Sequence, residues 1–185
     1  MGELIDINIF LRDIFEQAQT QNNDYWVKKL LHIHFNRAHL AIMVEPYLSL
    51  LLEGEKTMES RFSQKMIQPF HRVSKGDIII LKKSGGDIVG VFEAKDVHYF
   101  ELKSEQDVEA IKNEYNQQIC CPDEFWDSKM NSRYATLIDV GHLMKLAPIR
   151  VSFPNRRSWI SGEEVQHDPA IPSMCRKGPS SSGPQ

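Results

Sequence analysis

Gly54-Glu55-Lys56-Thr57-Met58-Glu59-Ser60-Arg61 follows closely on Pro46-Tyr47-Leu48-Ser49-Leu50-Leu51-Leu52, and together the two stretches spell helix, stop and strand. Proline suits the first turn of a helix because its missing N–H would be unpaired there. Glycine suits the residue just past the end, where the backbone turns left-handed. After Gly54 the period changes. Alternation from Thr57 onward puts Thr57, Glu59 and Arg61 on one face and Met58, Ser60 and Phe62 on the other. Glu59 and Arg61 therefore share a face, with Lys56 at the mouth of the turn beside them.

Upstream, the apolar run His39 to Val44 predicts a buried strand leading into the Pro46 helix. Residues 1–36 predict a helical hairpin, with Ile7, Phe10, Leu11, Ile14 and Ala18 on one stripe, a break at Gln21-Asn22-Asn23, and Trp26, Leu30 and Ile33 on another. His32 and His34 flank Ile33 and would point apart on a helix, which does not make a metal pair.

Downstream, Ser63 to Val73, containing Pro69-Phe70-His71-Arg72, predicts an exposed loop over the mouth of a barrel. Asp77 to Leu81 resumes strand, and Ser84-Gly85-Gly86-Asp87 is a tight hairpin. The return strand, Ile88 to Phe100, carries Gly90 as a bulge or bend of the kind a curling sheet needs. Ser104-Glu105-Gln106-Asp107 has the form of a capping box, and Val108, Ile111, Tyr115 and Ile119 repeat at helical spacing behind it. A short helix is expected over Pro122 to Met130. Arg133 to Val140 alternates as a strand, and Ile149 to Phe153 and Ser158 to Ile160 complete the sheet. The sum is an α+β chain: a small barrel of five or six strands with helical insertions and an N-terminal helical hairpin. The expected divisions are a helical extension at 1–36, a barrel domain at 37–162, and a Pro-, Ser- and Gly-rich tail at 163–185 that is expected to be disordered.

A chain of 185 residues with 41% hydrophobic content can build one proper core. No apolar run approaches the ~20 residues needed to cross a bilayer, and no secretory signal pattern opens the chain, so a cytoplasmic protein with no membrane partner is expected. The three cysteines, including adjacent Cys120 and Cys121, form neither a metal spacing nor an even disulfide framework. No metal or cofactor is expected. The net charge of −3 hides an uneven distribution. Lys56, Arg61, Lys65, Arg72, Lys75, Lys82 and Lys83 face only Glu59 and Asp77, and a late stretch adds Lys145, Arg150, Arg156 and Arg157. Brought onto one barrel, these segments would form a positive face on an acidic molecule.

The pattern Gly54-x-Lys56-x-x-Glu59-x-Arg61 behind a Pro-Tyr helix resembles the signature of the ASCH family, relatives of the PUA-like barrels. The resemblance runs from about His39 to Ile160 in order of elements, is sharp only in this motif, and leaves the N-terminal hairpin outside. It implies a PUA-like barrel and binding of RNA or modified nucleosides. It also implies an alternative, because some ASCH-like proteins are amidohydrolases acting on N4-acetylcytidine and another is reported to cut RNA. Lys56 is the residue that carries over as a tentative catalytic group. The amidohydrolase form has a threonine where this chain has Glu59, and a carboxylate beside a lysine favours the charged ammonium, which opposes general-base use. The family's acidic residue in the helical insertion has two candidates here, Glu105 and Glu109.

The chemistry of the motif supports binding first. Arg supplies a rigid fork and Lys a mobile point charge, so Lys56 and Arg61 suit a phosphate or the polar edge of a base, while Glu59 can accept from an exocyclic amine. Tyr134, Phe70 and Trp159 are candidates for stacking. Ser84 is a weaker pocket candidate, and Arg156, Arg157 and Trp159 extend the positive face. The plain reading is an exposed Glu59–Arg61 ion pair worth ~0–1 kcal/mol. A third class, protein interaction or homo-oligomerisation through the N-terminal helices, would be marked by an uncovered stripe of Leu11, Ile14, Trp26 and Leu30.

Overall fold

A computed structural model of the chain describes residues 7, 9–32, 37–151 and 157–164. Strand β1 (Arg37–Met43) lies inside the sheet, parallel to β3 (Ile78–Lys83) on one side and antiparallel to β6 (Trp159–Glu164) on the other. Its two faces serve two cores, which is why its sequence is apolar at nearly every position. Ala38 and Leu40 face the N-terminal helices, whereas Ala41 and Met43 face the interior with Ile79, Leu81, Phe92, Ile138 and Trp159. Helix α3 (Tyr47–Glu53) plugs that interior with Leu48 and Leu51 and ends at Gly54, which is left-handed at φ 82°.

Among the described residues the sheet has six strands in the order β2-β5-β4-β3-β1-β6, with β2 at Met58–Ser63, β4 at Ile88–Glu101 and β5 at Tyr134–Ile149. It curls as a half-barrel, and β2 and β6 are left as its edges. The bend expected at Gly90 is present as a register shift between Ile88 and Gly90. A Cβ at Gly90 would stand 2.7 Å from a methyl of Leu52 and 3.2 Å from one of Leu81, so a larger residue there would push those two leucine side chains aside.

One strand boundary is corrected. The strand expected at Arg133 to Val140 is longer, β5 running from Tyr134 through Gly141 and His142 to Ile149; of the separate strand expected at Ile149 to Phe153 only Ile149 is in β5, Arg150 and Val151 being in no strand and 152–153 lying outside the described residues. His142 has φ 47° there, and the register against β4 shifts in the same region. This irregularity hides the two-residue period. Helix α2 (Asp24–Leu31) grips it: Trp26 Nε1 donates to the His142 carbonyl at 2.6 Å, and the Tyr25 ring stacks on the His142 ring at 3.5 Å.

The outer face of the sheet is covered in two halves. Helix α1 (Ile9–Thr20) and α2 bury Phe10, Leu11, Ile14, Trp26 and Leu30 against Leu40, Ile78, Ile80, Val91 and Met144. The stripe that would have marked an interaction surface is thus covered by the chain's own sheet. Helices α4 (Glu105–Ile119) and α5 (Asp123–Asp127) cover the other half, over Met58, Ala135 and Leu137. The capping box is present, with the Asp107 carboxylate accepting the N–H of Ser104 at 2.9 Å and of Lys103 at 2.7 Å. The tail expected to be disordered from residue 163 starts later than that, because β6 runs on to Glu164; residues 165–185 and 152–156 lie outside the described residues.

Because α1 seals an apolar face, its two sides should respond differently to truncation. Ile14 is fully buried and Ile9 is 59% exposed. Ile14→Ala is expected to lower unfolding free energy by about 2–5 kcal/mol, and Ile9→Ala by less than about 0.5 kcal/mol, in urea denaturation. Equal effects would show that the helix is not packed as described.

Candidate functional site

The motif residues converge. After Gly54 the backbone N–H groups of Glu55 and Lys56 both donate to the Leu50 carbonyl, and Thr57 N donates to the Gln118 carbonyl at 2.9 Å, tying the start of β2 to the end of α4. Lys56 is thereby driven inward and is only 2% exposed, as Glu59 is 3%. Lys56 Nζ donates to the Ile119 carbonyl at 2.9 Å and lies 3.6 Å from Glu59 Oε2. The other Glu59 oxygen accepts from Arg61 Nε at 2.7 Å. Two cations thus face one buried carboxylate.

Arg61 does more than pair with Glu59. Its Nη1 donates to the Ser158 carbonyl at 3.0 Å and its Nη2 to the Ile42 carbonyl at 3.2 Å, while its guanidinium lies 5.3 Å from the centroid of the Trp159 ring. Because Arg61 is on edge strand β2 and those carbonyls belong to β1 and the entry to β6, one side chain spans the seam of the curled sheet. A planar fork with several donors suits this geometry, and a lysine cannot copy it.

Beside the triad is a cleft of about 310 Å³ lined by Met43, Val44, Tyr47, Ser60, Phe62, Cys121, Phe125 and Lys129 together with Lys56, Glu59 and Arg61. Tyr47, Phe62 and Phe125 make an aromatic wall, edge to face at 5.9 and 6.1 Å, and Lys129 Nζ sits 4.8 Å from the Phe125 ring centre. Burial raises the Tyr47 phenol above its ordinary pKa, and burial pushes the Cys121 thiol up to about 11. Such a thiol is protonated at neutral pH and is no nucleophile there.

Of the residues singled out in the sequence, Lys56, Glu59 and Arg61 meet in this cleft. Phe70, Arg157 and Trp159 line a neighbouring hollow of about 720 Å³ instead. Tyr134 is behind that hollow, its ring 4.9 Å from that of Phe70. Ser84 is exposed on the β3–β4 hairpin and lines neither cavity, and the same holds for Glu105 and Glu109 on the outer side of α4. Arg156 lies outside the described residues. Sequence reasoning missed Tyr47, Phe62, Cys121, Phe125 and Lys129. The pairing of Phe62 with an aromatic helix at Phe125-Trp126 was the available signal, but only the three-dimensional path of α5 brings them together.

Among the described residues, Asp96, His98 and Asp139 form the group able to hold a metal ion, with ligand atoms within 4.8 Å of one another. Asp139 is the cross-strand partner of Met58, which places this group on the outer face of the sheet and not on the face of Glu59 and Arg61.

Comparison with known proteins places the family and the fold. The model of the ASCH domain matches residues 42–143, more than half of the chain. The crystal structure of ASCH from Zymomonas mobilis superposes with a TM-score of 0.51 at 11% identity, covering 62% of this chain and 73% of that one. A Ser-to-Ala variant of the Zymomonas mobilis protein gives 0.54 at 12% identity, covering 69% and 89%. At such identities the likeness is one of fold. No curated protein sequence matches the chain.

The buried triad generates a stability prediction. Glu59→Gln leaves two cations without their carboxylate and is expected to cost about 3–5 kcal/mol. Arg61→Lys is expected to recover little relative to Arg61→Ala, because one ammonium cannot serve Glu59, Ile42 and Ser158 together. Urea unfolding measures both; near-neutral effects would show the triad to be a solvated surface cluster.

Proposed function

Since the chain belongs to the ASCH family, we propose that its triad cleft binds RNA or a modified nucleotide, with a base held against the aromatic wall and read by the buried polar floor. The observation that carries this reading is the juxtaposition of Tyr47, Phe62 and Phe125 with the Lys56–Glu59–Arg61 floor in one cleft of about 310 Å³. That is the low end of the range for small-ligand sites, and its apolar walls with a few fixed polar groups are the usual form of one. A base has a face for the rings and an edge for hydrogen bonds.

The roles differ from those of a simple basic clamp. Arg61 already donates from each of its nitrogens within the protein, so it holds the floor in place. Glu59 presents acceptor lone pairs to an exocyclic amine, and Lys56 a remaining N–H to a base carbonyl. Lys129, half-buried at the wall beside Phe125, is the cation placed for a phosphate. Binding without turnover is favoured over hydrolysis. Cys121 is held protonated, Lys56 Nζ is engaged by two acceptors, and Glu59 occupies the position that is a threonine in the amidohydrolase form. The N-terminal helices spend their apolar stripe on the chain's own sheet.

Titration of ribonucleoside 5′-monophosphates and short single-stranded RNA tests the reading by calorimetry or fluorescence anisotropy. Phe125→Ala is expected to weaken binding by about 1–3 kcal/mol through lost stacking. Lys129→Ala is expected to weaken it and reduce the salt slope by about one counterion. Absence of binding by every probe, or release of acetate from N4-acetylcytidine with loss in Lys56→Ala, overturns it. Mass spectrometry adds a check on the thiol: native Cys121 is expected to resist iodoacetamide at about pH 8 and to react once urea unfolds the chain.

A further inference from the structure

The larger hollow is not explained by a single nucleotide in the triad cleft. It has a volume of about 720 Å³, and it shares Ser158 in its lining with the triad cleft. Between the two stands the pair formed by Arg61 and the Trp159 ring. We infer that this hollow is a second base subsite, so that the ligand is a single-stranded oligonucleotide lying across the Arg61–Trp159 ridge, with adjacent bases on its two sides. The inference rests on the nucleotide reading of the triad cleft and extends it to the class of ligand.

Three observations carry it. First, the Trp159 ring lines the hollow and lies 5.3 Å from the guanidinium of Arg61, which lines the triad cleft, so one cation–π pair is shared by the walls of both cavities. Second, the loop after β2 holds two large apolar side chains out at the edge of the hollow, Met66 at 61% and Ile67 at 57% exposed. They are not the loose end of a mobile loop. Gln68 Oε1 accepts the Ser161 N–H at 3.0 Å, the Tyr99 hydroxyl accepts the Val73 N–H at 3.0 Å, and the Phe70 ring packs on Tyr99 and Tyr134. An apolar pair presented on a pinned loop is a platform for a flat, π-faced group. Third, the described residues of the lining include Arg72, Arg157 and His71 and no acidic residue. An apolar seat with a basic rim complements a base joined to a phosphate, the arrangement by which single strands are held.

The test compares ribonucleoside 5′-monophosphates with ribodinucleotides of every base combination, on the parent chain and on Ile67→Glu. A side chain as exposed as Ile67 can be replaced without unfolding the protein, and unchanged thermal melting verifies this; Met66→Glu is the second variant. The expected result is that at least one dinucleotide binds about tenfold or more tightly than either of its monophosphates. Ile67→Glu and Met66→Glu are expected to erase that gain while leaving monophosphate affinity as it was. If monophosphates bind but dinucleotides gain nothing, or the gain survives both variants, the second subsite is wrong and the triad cleft stands. If neither class of probe binds, both readings fall together.

Discussion

Arg61 reaches from one edge of a curled sheet to carbonyls at the other, and much of the molecule depends on that span. A fully closed barrel would pair its first and last strands by backbone hydrogen bonds. Here β2 and β6 are edges, and the carbonyls of Ile42 and Ser158 on the far side are met by the guanidinium instead. The arrangement requires a carboxylate to offset the buried cation, and Glu59 supplies it at 2.7 Å. Glu59 in turn faces Lys56, whose ammonium ties the group to the end of α4 through the Ile119 carbonyl. The chain of contacts runs from seam to insertion helix, so the motif couples closure of the sheet to placement of the α4–α5 insertion that forms one wall of the cleft.

That coupling explains how much of the site was legible in the sequence. Gly54 announced a left-handed turn, the two-residue period placed Glu59 and Arg61 on one face, and the spacing of Lys56 put it at the turn; each of these is local, and each stands in the structure. Burial was not legible. An Lys-Glu-Arg cluster on a short strand reads equally as a solvated surface pair, and only the curl of the sheet and the return of α4 remove it from water. The same holds for the aromatic wall. Tyr47 is on α3, Phe62 on β2 and Phe125 on α5, and no sequence period links positions so far apart. The far half of β5, beyond Val140, went unread because His142, at positive φ, interrupts the alternation that signals a strand, while the grip of Trp26 on its carbonyl lies over a hundred residues away.

The N-terminal hairpin shows the opposite case, in which the element was legible and its partner was not. Periodicity gave both helices and the break between them, but an apolar stripe carries no address. Ile14 and Trp26 are fully buried on the sheet of the same chain, in one cluster with Leu40, Ile80 and Met144. What decides this is β1, whose alternate residues are apolar on both faces. A strand that is apolar on its outer side must be covered, and the hairpin that precedes it in the chain is the nearest element able to do so.

An incompletely closed sheet makes a groove along its seam, and the groove is where this chain departs from the composition of an ordinary core. On one side of the Arg61–Trp159 ridge stand three aromatic rings over a buried ion triad; on the other stand the Phe70 ring and an apolar loop edge rimmed by arginines. Replacing the triad by packed hydrocarbon would save the desolvation of three charges, a gain seen for buried ion pairs elsewhere. It would also leave the Ile42, Ser158 and Ile119 carbonyls without these donors and fill the groove. The polar seam is therefore better understood as a compromise than as a stability device: a sheet held open by side chains at the one place where backbone pairing would have shut it.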